Sequence, residues 1–310
     1  MEAAREPRAP GATWRTVLRC ARPNFLVLAP LCVLLAILVA RLEGHALGVG
    51  EALAVLAGAL LAHAAVNLLN EHHDHASGLD ATTRRTPVSG GSGALPAHPA
   101  AAPWVRRAGL VCLAGVMTIG AWALWRSGPA LLAYGLPGIV LVVAYTGVLT
   151  RRPLLCLLAP GLGFGPVMVA GSHQALIGEP SWTALVVALV PGLQVSALLL
   201  LNQLPDIDAD RRVGRHHLAI VLGPRRAARL AAGLLVAAYL VVPAGIAAGG
   251  LPAWSGLAWL PLPALAGLVI GLWRLPDAPD ATRLVALLTR NVMLLLGTLA
   301  LLALGLWLAG

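Results

Sequence analysis

The chain has 310 residues, of which 58% are hydrophobic and 11% charged, with a formal net charge of +9. That is far too apolar for a soluble globular domain. Arginine alone supplies the basic charge, since there is no lysine, and its placement along the chain accounts for the +9 without a nucleic-acid partner.

The first 12 residues are polar and read as disordered. Residues 13–21 set Trp14, Val17 and Leu18 against Arg15 and Arg19 at helical spacing, which predicts an amphipathic helix on the inner membrane surface. Nine apolar stretches follow: 23–40, 52–69, 108–125, 130–149, 154–170, 184–201, 227–248, 251–273 and 291–308. Each is long enough to be a membrane helix. None reads as a cleaved signal peptide, because polar and basic residues precede the first and no cleavage site follows it. With the N-terminus inside and nine spans, 20 of the 22 arginines fall on the inner side and only Arg41 and Arg126 outside. Such a bias orients a multi-pass protein in the cell's inner (plasma) membrane. The inner arginines would face anionic lipid headgroups or an anionic substrate. The expected organisation is a cytoplasmic segment, 1–22, and one nine-helix membrane domain, 23–310. Spans one to four and five to eight keep the same orientation and read as parallel repeats. The cysteines Cys20, Cys32, Cys112 and Cys156 lack metal-ligand spacing and read as small reduced hydrophobes.

Two polar runs interrupt this pattern, after the second and the sixth spans. The first is Asn67-Leu-Leu-Asn70-Glu71-His-His-Asp74, followed by Gly78-Leu-Asp80; the second reaches from Asn202 through Asp206, Asp208 and Asp210 to Arg215. Together they hold six of the 13 acidic residues. Residues three, four and seven apart share a helix face. His63, Asn67, Asn70 and Asp74 therefore form one stripe, and Asn202, Asp206 and Asp210 another, read as a continuation of span six. Oxygen ligands aimed at a common point suit Mg²⁺ and a pyrophosphate. Arg84, Arg85, Arg211, Arg212 and Arg215 are close enough in sequence to clamp phosphate oxygens. Solvated helix ends that merely fix topology are the plainer alternative. Acidic residues contribute little to orientation, however, and intramembrane Asn and His in register with them point to a lined cavity.

The pattern Asn70-Glu71-x-x-Asp74-x-x-x-Gly78-x-Asp80 resembles the first aspartate-rich motif of the UbiA superfamily of intramembrane prenyltransferases. The run Asn202-x-x-x-Asp206-x-x-x-Asp210-Arg211-x-x-Gly214-Arg215 resembles its second, and Tyr145-Thr146 and Arg22-Pro23 also fit. The resemblance implies an all-α fold of nine transmembrane helices with a cytoplasmic N-terminus and both motifs on the cytoplasmic side. It implies Mg²⁺-dependent transfer of an isoprenoid chain from an allylic prenyl diphosphate to an aromatic acceptor. Gly78-x-Asp80 is similar to the branch that prenylates 1,4-dihydroxy-2-naphthoate, a quinone precursor. By the same resemblance Asn70, Asp74, Asp206 and Asp210 bind metal, with Glu71, Asp80 and Asn202 in support. Asp74, Asp206 and Asp210 are the catalytic carboxylates, and Arg22, Arg84, Tyr145 and Arg215 contact diphosphate. Three positions depart from the pattern: Glu71 replaces an aspartate, His216-His217 replaces a basic residue and threonine, and 151–165 lacks a Gly-x-Gly-Glu element. A membrane terpene cyclase with the same motifs, and a transporter or lipid-binding protein without chemistry, are the competing readings.

Smaller signals have plainer explanations. His72, His73 and His75 diverge around a helix and read as solvated or headgroup-facing rather than as zinc ligands. His63 is either a helix-to-helix hydrogen-bonding residue or part of a substrate cavity. The glycine-rich stretch 89–96 lacks a Walker lysine and reads as a flap over the site. Trp14, Trp104, Trp122, Trp125, Trp254 and Trp273 lie near span ends, as interfacial anchors do.

Overall fold

The computed structural model describes residues 10–81 and 90–310, and among these every regular element is a helix. In chain order they are α1 (Pro10–Cys20), α2 (Pro23–Leu26), α3 (Leu28–Leu42), α4 (Val49–Ala76), α5 (Ala94–Ala97), α6 (Ala102–Ser127) and α7 (Leu132–Ala144). Then come α8 (Pro153–Leu162), α9 (Gly171–Ile177), α10 (Trp182–Asn202), α11 (Ile207–Arg212), α12 (Leu218–Ala247), α13 (Leu262–Trp273) and α14 (Ala281–Ala309). The expected flap, 89–96, and Arg84 with it lie partly or wholly outside the described residues.

Six helical stretches are long and apolar enough to cross a membrane, and eight are if each of two bent pairs is one span. The first bent pair, Thr13–Leu26 with Leu28–Leu42, turns by 41°. The two members meet at Val27, and within the first of them Arg22 holds a left-handed backbone (φ 53°) between α1 and α2, ahead of Pro23. The second pair, Ala253–Trp259 with Leu262–Trp273, turns by 44° where Pro261 and Pro263 interrupt the hydrogen-bond ladder. The eighth apolar stretch is therefore broken rather than straight. The fourth is a shorter apolar helix, Pro129–Ala144, ending before Tyr145.

The fifth stretch is longer than its hydropathy suggests. A π-helical segment, Gly163–Ala170, joins α8 to α9, with Pro166 inside it. A proline cannot donate to the carbonyl one turn back, and widening the turn absorbs the defect. The stretch 161–165, across the end of α8 and the start of this segment, is glycine-rich where it lies tightly against α10. A Cβ on Gly161 would come within 2.4 Å of the Gly192 carbonyl oxygen, and one on Gly165 within 2.5 Å of that of Ala188. Between apolar helices in lipid, such close backbone packing replaces the hydrophobic driving force available in water.

Helix α10 is the axis of the bundle. Two thirds of its most apolar window (67%) is buried, against 11% for the span containing α6. α8, α12 and α14 pack around α10, while α4 pairs with α6. Leu35, Val39, Val187, Val195, Leu299 and Leu302 form the core between α3, α10 and α14. α1 packs its Val17 and Cys20 against Leu68, Leu95 and Val105, with Trp14 and Leu18 exposed along its other side.

Candidate active site

Helix α4 continues about two turns beyond the apolar stretch that ends at Leu69, so the first polar run stays helical. Asn67 donates to the Ala21 carbonyl (3.0 Å) and ties this end of α4 to the turn after α1. Asn70 donates to Asp74 Oδ2 (3.2 Å), and its own Oδ1 accepts the Thr146 hydroxyl (2.8 Å). Thr146 follows the end of α7, so the Tyr145-Thr146 turn is anchored on the first run.

The second run does not continue span six as a helix. α10 stops at Asn202, the chain turns through 203–206, and α11 begins at Ile207. Pro205 explains the break, because it has no N–H and disfavours helical backbone at Leu204. Asp206 holds the N-cap position of α11 without a capping side-chain bond. The Asp210 N–H donates to the Asp206 carbonyl (2.8 Å), which sets the two carboxylates one turn apart. Asn202, Asp206 and Asp210 thus still face one space, though a turn rather than a continuous stripe brings them there.

Arg215 joins the runs. Its guanidinium donates to Asp210 Oδ1 (2.9 Å) and to Asp74 Oδ1, across 141 residues of sequence. The second oxygen of Asp210 is paired with His217 Nε2 at 2.8 Å, in a fully buried contact. The His216 N–H donates to the Thr150 carbonyl (2.9 Å), fastening this loop to the turn after α7. The two acidic runs therefore meet at one end of the bundle.

They close the polar end of a cavity of about 430 Å³. Asn70, Asp74, Asp80, Asn202, Asp206 and Asp210 line it, as do Arg22, Tyr145 and Arg215. Further in, the walls are Leu113, Val142, Phe164, Met168, Leu198 and Leu295. His63 is on this wall, edge-on to Phe164 at 4.8 Å, and its buried Nδ1 has no hydrogen-bond partner. That arrangement matches the cavity-lining alternative for His63.

Two buried oxygens in the polar end also lack partners, Asn202 Oδ1 and Asp206 Oδ1. Burial, with the neighbouring Asp210 carboxylate, pushes the Asp206 carboxyl up to about 7 against the opposite pull of Arg215. Unsatisfied buried oxygens at the mouth of a cavity are what a hard cation requires. Among the described residues no three His, Cys, Asp or Glu side chains cluster tightly enough to hold an ion alone. Mg²⁺ does not need such a cage, because it takes one or two carboxylates and completes its shell with water and substrate phosphate. The donor set fits it.

The expected site residues sort into three groups. Asn70, Asp74, Asp80, Asn202, Asp206, Asp210, Arg22, Tyr145 and Arg215 share the cavity. Arg84 lies outside the described residues. Glu71 is buried at 1% exposure but is not on the cavity wall, and both of its oxygens are engaged by Arg22 and Ser92. Three residues that lie in segments singled out in the sequence had no bonding role assigned there: His217, Thr146 and Ser92. His217 stands seven residues after Asp210 beyond a glycine turn, a separation that helical periodicity does not interpret. The hydroxyls of Thr146 and Ser92 reach the first run only through tertiary folding.

Comparison with known proteins bears on all of this. A 1,4-dihydroxy-2-naphthoate octaprenyltransferase from Bacillus subtilis (strain 168) is 27% identical over 217 residues, covering 68% of this chain and 67% of that protein. A solved structure described as a digeranylgeranylglyceryl phosphate synthase superposes with a TM-score of 0.64 at 15% identity, over 95% of this chain and 98% of the other. A UbiA homologue from Archaeoglobus fulgidus, solved with DMAPP and Mg²⁺, superposes with a TM-score of 0.56 at 15% identity, over 93% and 99%. At that identity the two structures establish a shared fold. Residues 27–293 match the model of the UbiA prenyltransferase family, and the chain, a multi-pass membrane protein, belongs to that family of enzymes.

Proposed function

We propose that this chain transfers an isoprenoid chain from an allylic prenyl diphosphate to an aromatic acceptor, a quinone precursor of the 1,4-dihydroxy-2-naphthoate kind, with Mg²⁺ as cofactor. One observation carries the reading: a single cavity has carboxylates and arginines at one end and, apart from His63, apolar walls at the other. A prenyl diphosphate has the same two ends. The Bacillus relative's name supports the acceptor, and the Archaeoglobus homologue's bound DMAPP and Mg²⁺ support the donor and the metal.

Asn70, Asp74, Asn202, Asp206 and Asp210 would hold the metal, with Asp80 in support. Bound there, Mg²⁺ supplies neutralising charge for the departing pyrophosphate. Arg22 and Arg215 donate to phosphate oxygens, Tyr145 adds its hydroxyl, and Arg84 is a further proposed contact. Asp210 and His217 hold Arg215 in place while it does so. As the C–O bond to the diphosphate breaks, Phe164, Met168 and Leu198 keep water from the allylic cation. The electron-rich ring carbon of the acceptor then forms the new bond and the ring loses a proton. In this reading the chain spans the cell's inner membrane nine times, with its N-terminus and both acidic runs on the cytoplasmic side.

The test is turnover by purified protein given a ladder of allylic diphosphates and Mg²⁺, with and without 1,4-dihydroxy-2-naphthoate. Prenylated acceptor, identified by mass, is the expected product. Pyrophosphate release with a cyclic hydrocarbon and no need for acceptor would replace the reading with a terpene cyclase. No release from any donor would leave a binding site without chemistry.

A further inference from the structure

We infer that Glu71 is a positioning residue for diphosphate capture, rather than a metal ligand: it holds Arg22 and the Gly90–Ser92 segment as a clasp at the mouth of the cavity. The inference rests on the function proposed above. Arg22 donates through Nε (2.8 Å) and Nη2 (2.6 Å) to Glu71 Oε1. The Ser92 N–H donates to that same oxygen (2.7 Å), and the Ser92 hydroxyl donates to Oε2 (2.7 Å). Four donors on two buried oxygens leave little capacity for a cation. Glu71 itself is not on the wall of the cavity that its neighbours Asn70 and Asp74 line.

What Glu71 holds does line that cavity. Arg22, Gly90 and Gly91 are all on its wall. Among the described residues Arg22 is the only non-glycine with positive φ, a backbone cost that the paired contacts to Glu71 offset. A guanidinium has five N–H donors, and two are spent on Glu71. Among the described residues no bond occupies the remaining edge, which can meet an oxyanion already oriented, so that less entropy is lost on binding. Gly91 is threaded between the same groups. A Cβ there would lie 3.2 Å from Asp80 Oδ1 and 3.4 Å from Arg22 Nη2, at a φ of +76° that only glycine adopts readily. Glutamate suits this task because its longer side chain reaches a loop 21 residues away as well as Arg22.

Two readouts separate this role from metal binding. In Glu71→Gln and Ser92→Ala, KM for the allylic diphosphate should rise about tenfold, the order of one lost charge-assisted bond. The Mg²⁺ concentration for half-maximal rate should stay within about twofold of the parent, and more pyrophosphate should be released per prenylated product. Hydrogen exchange at the Ser92 amide should accelerate in Glu71→Gln and stay slow in Asp206→Asn. A raised Mg²⁺ requirement in Glu71→Gln, matching that of Asp206→Asn, overturns the inference, and so does an unchanged Ser92 exchange rate. If the parent protein consumes no allylic diphosphate, the function itself fails. The exchange measurement still decides whether Glu71 holds the clasp.

Discussion

The two acidic runs look like copies in sequence and behave as opposites in the fold. From Asn67 to Asp74 the first stays on an uninterrupted helix, and its acids there are compensated from several directions: Arg22 and Ser92 on Glu71, Arg215 and Asn70 on Asp74. The second is broken at Pro205, and the break leaves Asp206 Oδ1 and Asn202 Oδ1 buried without partners. In the second run Asp210 is held by Arg215 and His217 as firmly as any acid of the first, so the oxygens most open to a ligand are those of Asp206 and Asn202. Spacing alone does not distinguish them, because what differs is which other segments arrive to bond them.

The sharpest way to break this contrast is to strike the open run. Asp206→Asn removes a negative charge from a group with no internal partner. It should lower the rate of pyrophosphate release by about 100- to 1,000-fold, the usual cost of one preorganised electrostatic group, with little loss of folded protein. An Asp206→Asn protein that unfolds instead would make the second run structural as well.

Arg215→Lys tests the join between the runs. Charge survives, but one ammonium cannot span Asp74 and Asp210 as the guanidinium fork does. Turnover should fall about 10- to 100-fold, the equivalent of one or two charge-assisted bonds, and thermal stability should drop with it.

A gentler probe is pH. With its carboxyl pushed up to about 7, Asp206 must lose a proton before it binds a cation. The Mg²⁺ concentration for half-maximal rate should therefore rise about tenfold per pH unit below 7, and Asp206→Asn should flatten that dependence. The stability sign follows from linkage. Asp206 ionises near 4 when unfolded but near 7 when folded, so the folded state binds the proton more tightly. The metal-free protein should lose stability as pH rises from about 4 through 7, and added Mg²⁺ should restore it.

The smallest effect belongs to Asp208, inside the open run but 88% exposed and only loosely paired with Arg211 at 3.7 Å. Asp208→Asn should leave rate, Mg²⁺ dependence and melting temperature within error, as exposed ion pairs usually allow. A large loss there would mean that the whole run acts together.

Much of the fold was legible because lipid imposes a simple rule: a stretch of about 20 apolar residues makes a helix. α4, α6, α10 and α14 each enclose or closely track an apolar stretch. The rule reads length and not continuity, so it missed the kink at Pro261 and the π-helical widening at Pro166. In the site, the residue types and their clustering were legible, since carboxylates and amides in register at helix ends have few other uses. The sharing of partners was not. Glu71 and Asp74 are both acids of one helical run, yet one faces the cavity and the other a loop from 21 residues downstream. His217 was hidden for a similar reason, because a glycine turn at Gly214 (φ 79°) brings it back onto Asp210.

The Arg215 bridge also has a history in time. Asp74 leaves the ribosome 141 residues before the arginine that will neutralise it. At about 5–20 residues per second that gap lasts on the order of ten seconds, during which the carboxylate at the end of α4 has no Arg215. The nascent chain must therefore keep that end of the helix at the aqueous border, or protonated, until the second half is inserted. Assembly of the site is a late event in biogenesis, and a chain truncated before Gly214 carries an acidic cluster that its own sequence has not yet supplied the means to bury.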